Sequence, residues 1–243
     1  MYTARSVGHE EYAASGAAMR EYVRMYLPAR QHAYRRTLDR VPVVGGGKLL
    51  DIGCNYGHFL VMAKERGWGV YGIEPGELVR ERALPEVTEH VYARLEEVYA
   101  HSPFDAITMW DVLEHIEDPS TMLAKLLPLL GPSGVLIVRV PDARIFQALA
   151  GSFVWRVFGN SYLKFCHPTN PEEHYHHFTV ESLAMLARQR GLDPIDTWRS
   201  DSRERVAAGR TPLDGWLRRA GHLLGRNLPY EFTMMLRVAS RTK

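Results

Sequence analysis

Lys48-Leu49-Leu50-Asp51-Ile52-Gly53-Cys54-Asn55-Tyr56-Gly57-His58-Phe59-Leu60 is the stretch that decides the fold. Its first half is a short apolar run suited to a buried parallel strand. The run ends on an acid, turns between two glycines, and restarts as a helix with Phe59, Leu60 and Ala63 on one side. Gly67 stands where such a helix stops. The unit is strand, loop, helix, with loop amides expected to face outward at the usual ligand position of an open α/β sheet. Glycine at 53 and 57 allows close backbone approach, and Asn55 between them tolerates a left-handed backbone. A plain tight turn into a helix would satisfy the same residues.

On these residues the stretch resembles motif I of the class I S-adenosylmethionine (SAM) dependent methyltransferases, usually Asp-x-Gly-x-Gly-x-Gly. Here it reads Asp51-x-Gly53-x-Asn55-x-Gly57, with Asn in place of the middle glycine. The resemblance implies cofactor contacts from Asp51, Gly53, Cys54, Asn55, Gly57 and Phe59.

Outward from the loop, Gly69-Val70-Tyr71-Gly72-Ile73-Glu74 reads as a second strand ending on an acid, with Pro75 after it. Glu74 lies about 20 residues beyond the glycine loop, where a carboxylate reaches ribose hydroxyls. Glu89 to Tyr92 is a poorer strand, and the resemblance sets the adenine contact just beyond it, at the backbone near Leu95. Relatives often carry a small polar or acidic residue at position 94, so Arg94 argues against a side-chain contact there.

Trp110-Asp111-Val112-Leu113-Glu114-His115-Ile116-Glu117-Asp118-Pro119 follows a further strand. It closely resembles the Trp-Asp-Val-Leu-Glu-His signature of a broad family that includes ubiquinone-type and natural-product methyltransferases. Residues at a strand's carboxyl end face the ligand crevice, so Trp110, Asp111 and Val112 are expected beside the methionine part of SAM. His115 reads equally as a base or as a helix-entry hydrogen-bonding residue. A helix over 120–130 and a buried strand over 134–141 come next.

His174, His177, Phe178 and Thr179 resemble the His-x-x-His-Phe-Thr element that opens the last helix in the same family. Thr179 is an N-cap candidate, with Ser182 at N3 where a capping box wants Glu or Gln. Strands are expected over 192–200 and 231–240, the last antiparallel.

At the flanks, residues 1–40 read as a helical cap segment before a methyltransferase domain over 41–243. In relatives such a segment folds over the cofactor, which makes Tyr12, Arg20 and Tyr22 pocket candidates. The insertion at 142–178 is rich in aromatics; the resemblance implies a roof over the acceptor pocket, while packing of the insert onto the sheet edge would use the same residues. A basic amphipathic helix over 213–226 could touch a membrane surface, but docking on its own domain is the preferred reading.

The chain has 243 residues, 46% hydrophobic, enough for a full core. A net charge of +2 argues against nucleic acid as partner. No signal peptide and no membrane span is read, and two cysteines make neither a disulfide framework nor a zinc spacing. A cytoplasmic setting is expected.

The expectation is a Rossmann-like, seven-stranded α/β sheet with helices on both faces. It should bind SAM and methylate oxygen, less readily nitrogen, on a small natural-product, sugar or quinone-like acceptor. His115, His174 and His177 are the candidate bases. No metal is expected, since a local histidine cluster is compositional evidence only. Two rival readings are an NAD-dependent oxidoreductase, which lacks its three-glycine diphosphate cradle here, and a non-catalytic SAM-binding scaffold.

Overall fold

Leu49 and Leu50 are neighbours in strand β1 (Lys48–Ile52), and both are almost completely buried, at 1% and 0% exposure. Successive strand residues face opposite sides, so this sheet must be covered on both. The computed structural model shows how, describing residues 16–21, 23–24, 27–41, 46–144, 174–199 and 231–239. Leu49 joins a core with Leu27, Tyr34 and Leu38 of helix α2 (Leu27–Leu38) and with Phe59, Leu60 and Ala63 of helix α3 (His58–Lys64). Leu50 joins the opposite core, with Leu123 and Leu126 of helix α5 (Pro119–Leu126) and Leu183 and Ala187 of helix α6 (Val180–Gln189). Helices α1 (Gly16–Glu21) and α4 (Glu77–Arg80) are short.

The remaining strands are β2 (Gly69–Ile73), β3 (Val91–Tyr92), β4 (Phe104–Trp110), β5 (Leu130–Pro141), β6 (Leu192–Arg199) and β7 (Glu231–Val238). They form one sheet in the order β3-β2-β1-β4-β5-β7-β6. Strands β1 to β5 are parallel, with Leu50 beside Tyr71 and Ile107 in register. Strand β7 enters antiparallel between β5 and β6. The Rossmann-like sheet with helices on both faces and an antiparallel last strand is the one expected. Order reverses between β1 and β4, and a ligand crevice lies outside the carboxyl ends at such a switch.

Boundaries moved where local chemistry outweighed periodicity. Helix α5 stops at Leu126, and a 3-10 turn, Leu127–Leu129, takes over around Pro128, which has no N–H for the α-helical ladder. Strand β5 consequently starts at Leu130 rather than 134. Strand β3 has only two residues. At the start of α6 the capping box is complete after all. Thr179 Oγ1 accepts from the Ser182 amide (3.1 Å), and Ser182 Oγ accepts from the Thr179 amide (2.9 Å).

Expectations for Tyr12, Tyr22, the aromatic residues over 146–165 and the 213–226 helix lie outside the described residues. Arg20 is exposed. No helix among the described residues is long and apolar enough to cross a membrane.

Candidate active site

The turn after β1 has the predicted backbone: φ is 71° at Gly53, 52° at Asn55 and 82° at Gly57. A side chain at Gly53 would also strike Val112, since a Cβ there would lie 2.6 Å from its Cγ2. The amides of the turn do not face outward as expected. Gly53 and Cys54 both donate to the Ile73 carbonyl (2.8 and 3.0 Å), and Gly57 donates to that of Cys54 (3.0 Å). Tyr56 donates to the Asn55 side chain (2.7 Å), and Asn55 donates to Glu74 Oε2 (3.0 Å). All five amides from 53 to 57 are thus engaged, because the turn folds back on the end of β2 instead of standing open.

Glu74 is the hub of that contact. Its Oε2 takes the Asn55 amide and its Oε1 takes the Gly76 amide at 2.9 Å, beside half-buried Pro75. The carboxylate so held is half-exposed at the end of β2. Asp51 lies deeper, 2% exposed, and accepts from Thr108 Oγ1 at 2.6 Å. Burial pushes its carboxyl up to about 8; the Thr108 hydrogen bond opposes this, and the Glu74 charge adds to it. Cys54 is buried with its sulfur against β2, where a Cβ at Gly72 would come within 2.6 Å of it. Leu95 is half-buried after β3, while Arg94 is exposed and pairs with Glu97 at 3.3 Å.

Phe59 and Trp110 turn inward. With Tyr34 they form an aromatic triad, ring centroids 4.7–5.0 Å apart, buried in the core on the α2 side of the sheet. Beyond Trp110 the chain reverses through Asp111, whose φ is 55°. Its carboxylate pairs with Arg30 of α2 (3.0 Å) and Arg139 of β5 (3.3 Å), and Arg139 pairs in turn with Glu231 of β7 at 2.5 Å. This chain of charges is largely buried and ties helix α2 across three strand ends. Arg30, Arg139 and Glu231 were not singled out from sequence. An arginine inside the apolar run Leu136-Ile137-Val138-Arg139-Val140 was the available signal, because a buried cation needs a partner.

The histidines gather on the other side of β4. The amides of Tyr175 and His176 donate to the Glu114 carbonyl (2.9 and 3.1 Å), drawing the 174–178 segment onto the turn that carries Leu113, Glu114 and His115. The rings of His115 and His174 lie edge to face, 4.5 Å between centroids, and His177 is 6.2 Å from His174. Partial burial, and secondarily His176, hold the His177 imidazole below its ordinary pKa. His176 faces away, its Nε2 3.1 Å from the Glu117 carbonyl oxygen. Glu114, quoted in sequence only as part of the signature, is 1% exposed beside this pair. Neither of its carboxylate oxygens has a hydrogen-bond partner among the described residues. Burial pushes this carboxyl well above the usual range, with the Asp111 charge adding to it.

Seven strands in this order, a glycine turn folded onto a strand-end carboxylate, and a crevice at the switch point together define a class I, SAM-dependent methyltransferase fold. The family described as Methyltransferase domain matches residues 26–197, and the chain belongs to it. It is 26% identical over 155 residues to the ubiquinone biosynthesis O-methyltransferase of Aeromonas salmonicida, covering 60% of this chain and 63% of that protein. The chain therefore spans less than two thirds of that relative's length. Among solved structures, a SAM-dependent methyltransferase from Archaeoglobus fulgidus superposes with a TM-score of 0.59 at 17% identity, over 91% of this chain and 99% of that one. A chain of the Haloferax volcanii complex containing the Trm112 methyltransferase activator gives 0.68 at 15% identity, over 98% and 100%. At such identities these structures speak for the fold.

Proposed function

We propose that this chain binds SAM at the carboxyl ends of β1, β2 and β4 and transfers its methyl group to an oxygen, or less readily a nitrogen, of a small molecule. The observation that carries this reading is Glu74. Two main-chain amides orient its carboxylate at the carboxyl end of β2, where a carboxylate about 20 residues beyond the glycine turn accepts from ribose hydroxyls. The engaged amides of 53–57 speak against an NAD-type cofactor, whose diphosphate wants free N–H donors there. Gly53, Asn55 and Gly57 shape the turn, Asp51 and Cys54 support it from below, Pro75 and Leu95 flank the nucleoside, and Asp111 and Val112 border the methionine end. Phe59 and Trp110 make the floor. A cytoplasmic setting belongs to the same reading.

Bound there, SAM supplies a methyl group on a sulfonium centre. The chain holds the acceptor in line with the methyl–sulfur bond, so that positioning provides much of the rate. The oxygen–methyl bond forms as the methyl–sulfur bond breaks, leaving a thioether. The hydroxyl proton passes to an imidazole, and among His115, His174 and His177 the last, held neutral by partial burial, suits a base near pH 7.

Titration calorimetry with SAM, its demethylated product and NAD tests the cofactor assignment. Low-micromolar binding of the first two and none of NAD is expected; tight NAD binding without SAM binding overturns it. A mass gain of one methyl on a member of an acceptor panel then identifies the reaction.

A further inference from the structure

Just past β5, one buried carboxylate holds two arginines, a cluster that methyl transfer itself does not require. Asp142 is 3% exposed. Its oxygens accept from the Arg144 amide (3.1 Å) and from Nε and one Nη of the Arg144 guanidinium (3.3 Å each). Arg199, the last residue of β6, brings a second guanidinium to 3.5 Å from the same carboxylate. Strands β5 and β6 both run antiparallel to β7, so this cluster sits at the sheet end that also carries Asp111. It stands beside the histidine segment. The Ala143 amide, between Asp142 and Arg144, donates to the carbonyl of Phe178, the residue after His177 (2.8 Å).

The sheet does not need these charges. Strands β5, β7 and β6 are already joined by long antiparallel ladders. The two guanidiniums remain 38% and 43% exposed, although the carboxylate beneath them is buried. Glu181, in the first turn of α6, also reaches Arg144 (3.4 Å), but at 69% exposure its pull is largely screened by water. Apart from the pair with Asp142, the Arg199 guanidinium donates to nothing among the described residues.

From this arrangement we infer that the methyl acceptor carries an oxyanion, a carboxylate or a phosphate, bound by Arg144 and Arg199 with Asp142 positioning both. A guanidinium offers N–H donors in a planar fork that matches either group. Asp142 holds the two side chains before the ligand arrives, which lowers the entropy cost of ordering them. An oxyanion arriving at Arg144 replaces Glu181, whose carboxylate returns to water. Anchored there, beside the segment that carries His177, the remote end of the acceptor helps orient its reacting oxygen. The acceptor role rests on the methyl-transfer reading, whereas oxyanion binding by the arginines does not.

Calorimetry on the full chain at low ionic strength, with inorganic pyrophosphate and with malonate as probes, tests the site. At least one probe should bind with a Kd of about 1 mM or tighter. A preference for pyrophosphate marks a phosphorylated acceptor, and a preference for malonate a carboxylated one. Arg144→Gln and Arg199→Gln should each weaken binding at least fivefold. Glu181→Gln removes the competing carboxylate and should strengthen it at least twofold, a gain that a purely structural cluster would not give. Arg66→Gln, at a guanidinium held by Asp39 between α2 and α3, should leave it unchanged. Binding of neither probe, no gain in Glu181→Gln, or an equal loss in Arg66→Gln overturns the inference. Among acceptors found by product mass, those with an oxyanion should show KM raised at least tenfold in Arg199→Gln with kcat within threefold, and turnover of neutral acceptors alone overturns the inference too. SAM affinity should stay within threefold in every variant. SAM binding without probe binding sinks this inference alone, and probe binding without SAM binding sinks the methyl-transfer reading instead.

Discussion

Asp51 shows how much a single residue beneath the turn can be made to report. Its carboxyl, 2% exposed, is raised to about 8 from an ordinary value near 4. A carboxyl raised on folding binds its proton more tightly in the native state. Its contribution is therefore fully present below about pH 4 and is lost as pH rises to about 8. Asp51→Asn removes the titration while keeping an acceptor for Thr108. In the ligand-free state the variant should gain melting temperature relative to wild type between pH 5 and pH 9, and parallel melting profiles would show that Asp51 does not titrate in this window. Glu74 makes a second residue-scale prediction. Glu74→Ala should weaken SAM binding by about 1–3 kcal/mol, the range for hydrogen bonds to a charged group. Unchanged affinity in a folded variant would remove its ribose role. Both residues were legible in sequence because each ends a strand and their neighbours are constrained by backbone geometry alone. Arg30, Arg139 and Glu231 were not, since Arg30 meets Asp111 across 81 positions of chain. Pairing over such distances leaves no local pattern.

Elements were legible in proportion to how far hydrophobic period alone decides them. Strands β1, β2 and β4 and helix α6 came out nearly as read, because each carries apolar residues at the spacing its geometry demands. Strand β3, two residues at the sheet edge, has too little length for a period. The entry to α6 was misread for a different reason. Glu or Gln is the usual N3 partner of a capping box, yet the Ser182 hydroxyl reaches the same Thr179 amide. That reciprocal pair holds the helix start one residue after Phe178, whose carbonyl accepts from the Ala143 amide at 2.8 Å. Thr179→Ala should cost about 1 kcal/mol, seen as a fall of about 2–4 °C in melting temperature for a chain of this size. No change would mean that the packing of Leu183 and Ala187 alone holds the helix.

At the scale of the whole molecule, the proposed function gives the carboxyl end of the sheet two sides built by different parts of the chain. Turns after β1 and β2 supply one side, joined by the interlocked amides and Glu74. Residues 174–178 supply the other, bonded to the Glu114 carbonyl and to Ala143 just past β5. Between them stands the end of β4, with Asp111 held by arginines from α2 and β5. The two sides share the β4 end, but Glu74 is held by the amides of Asn55 and Gly76, whereas His115 and His174 pack ring against ring. Damage to one side should therefore be separable from damage to the other. His174→Ala or His177→Ala should depress methyl transfer strongly while leaving SAM affinity within about a factor of three, a change below about 1 kcal/mol. Asp51→Ala, which takes the support from under the turn, should lose SAM affinity itself. Measuring affinity by calorimetry and turnover by product mass on all three variants distinguishes the cases. If the histidine variants lose SAM as badly as Asp51→Ala, the imidazoles belong to the cofactor side, and if they keep full turnover they line no working pocket at all.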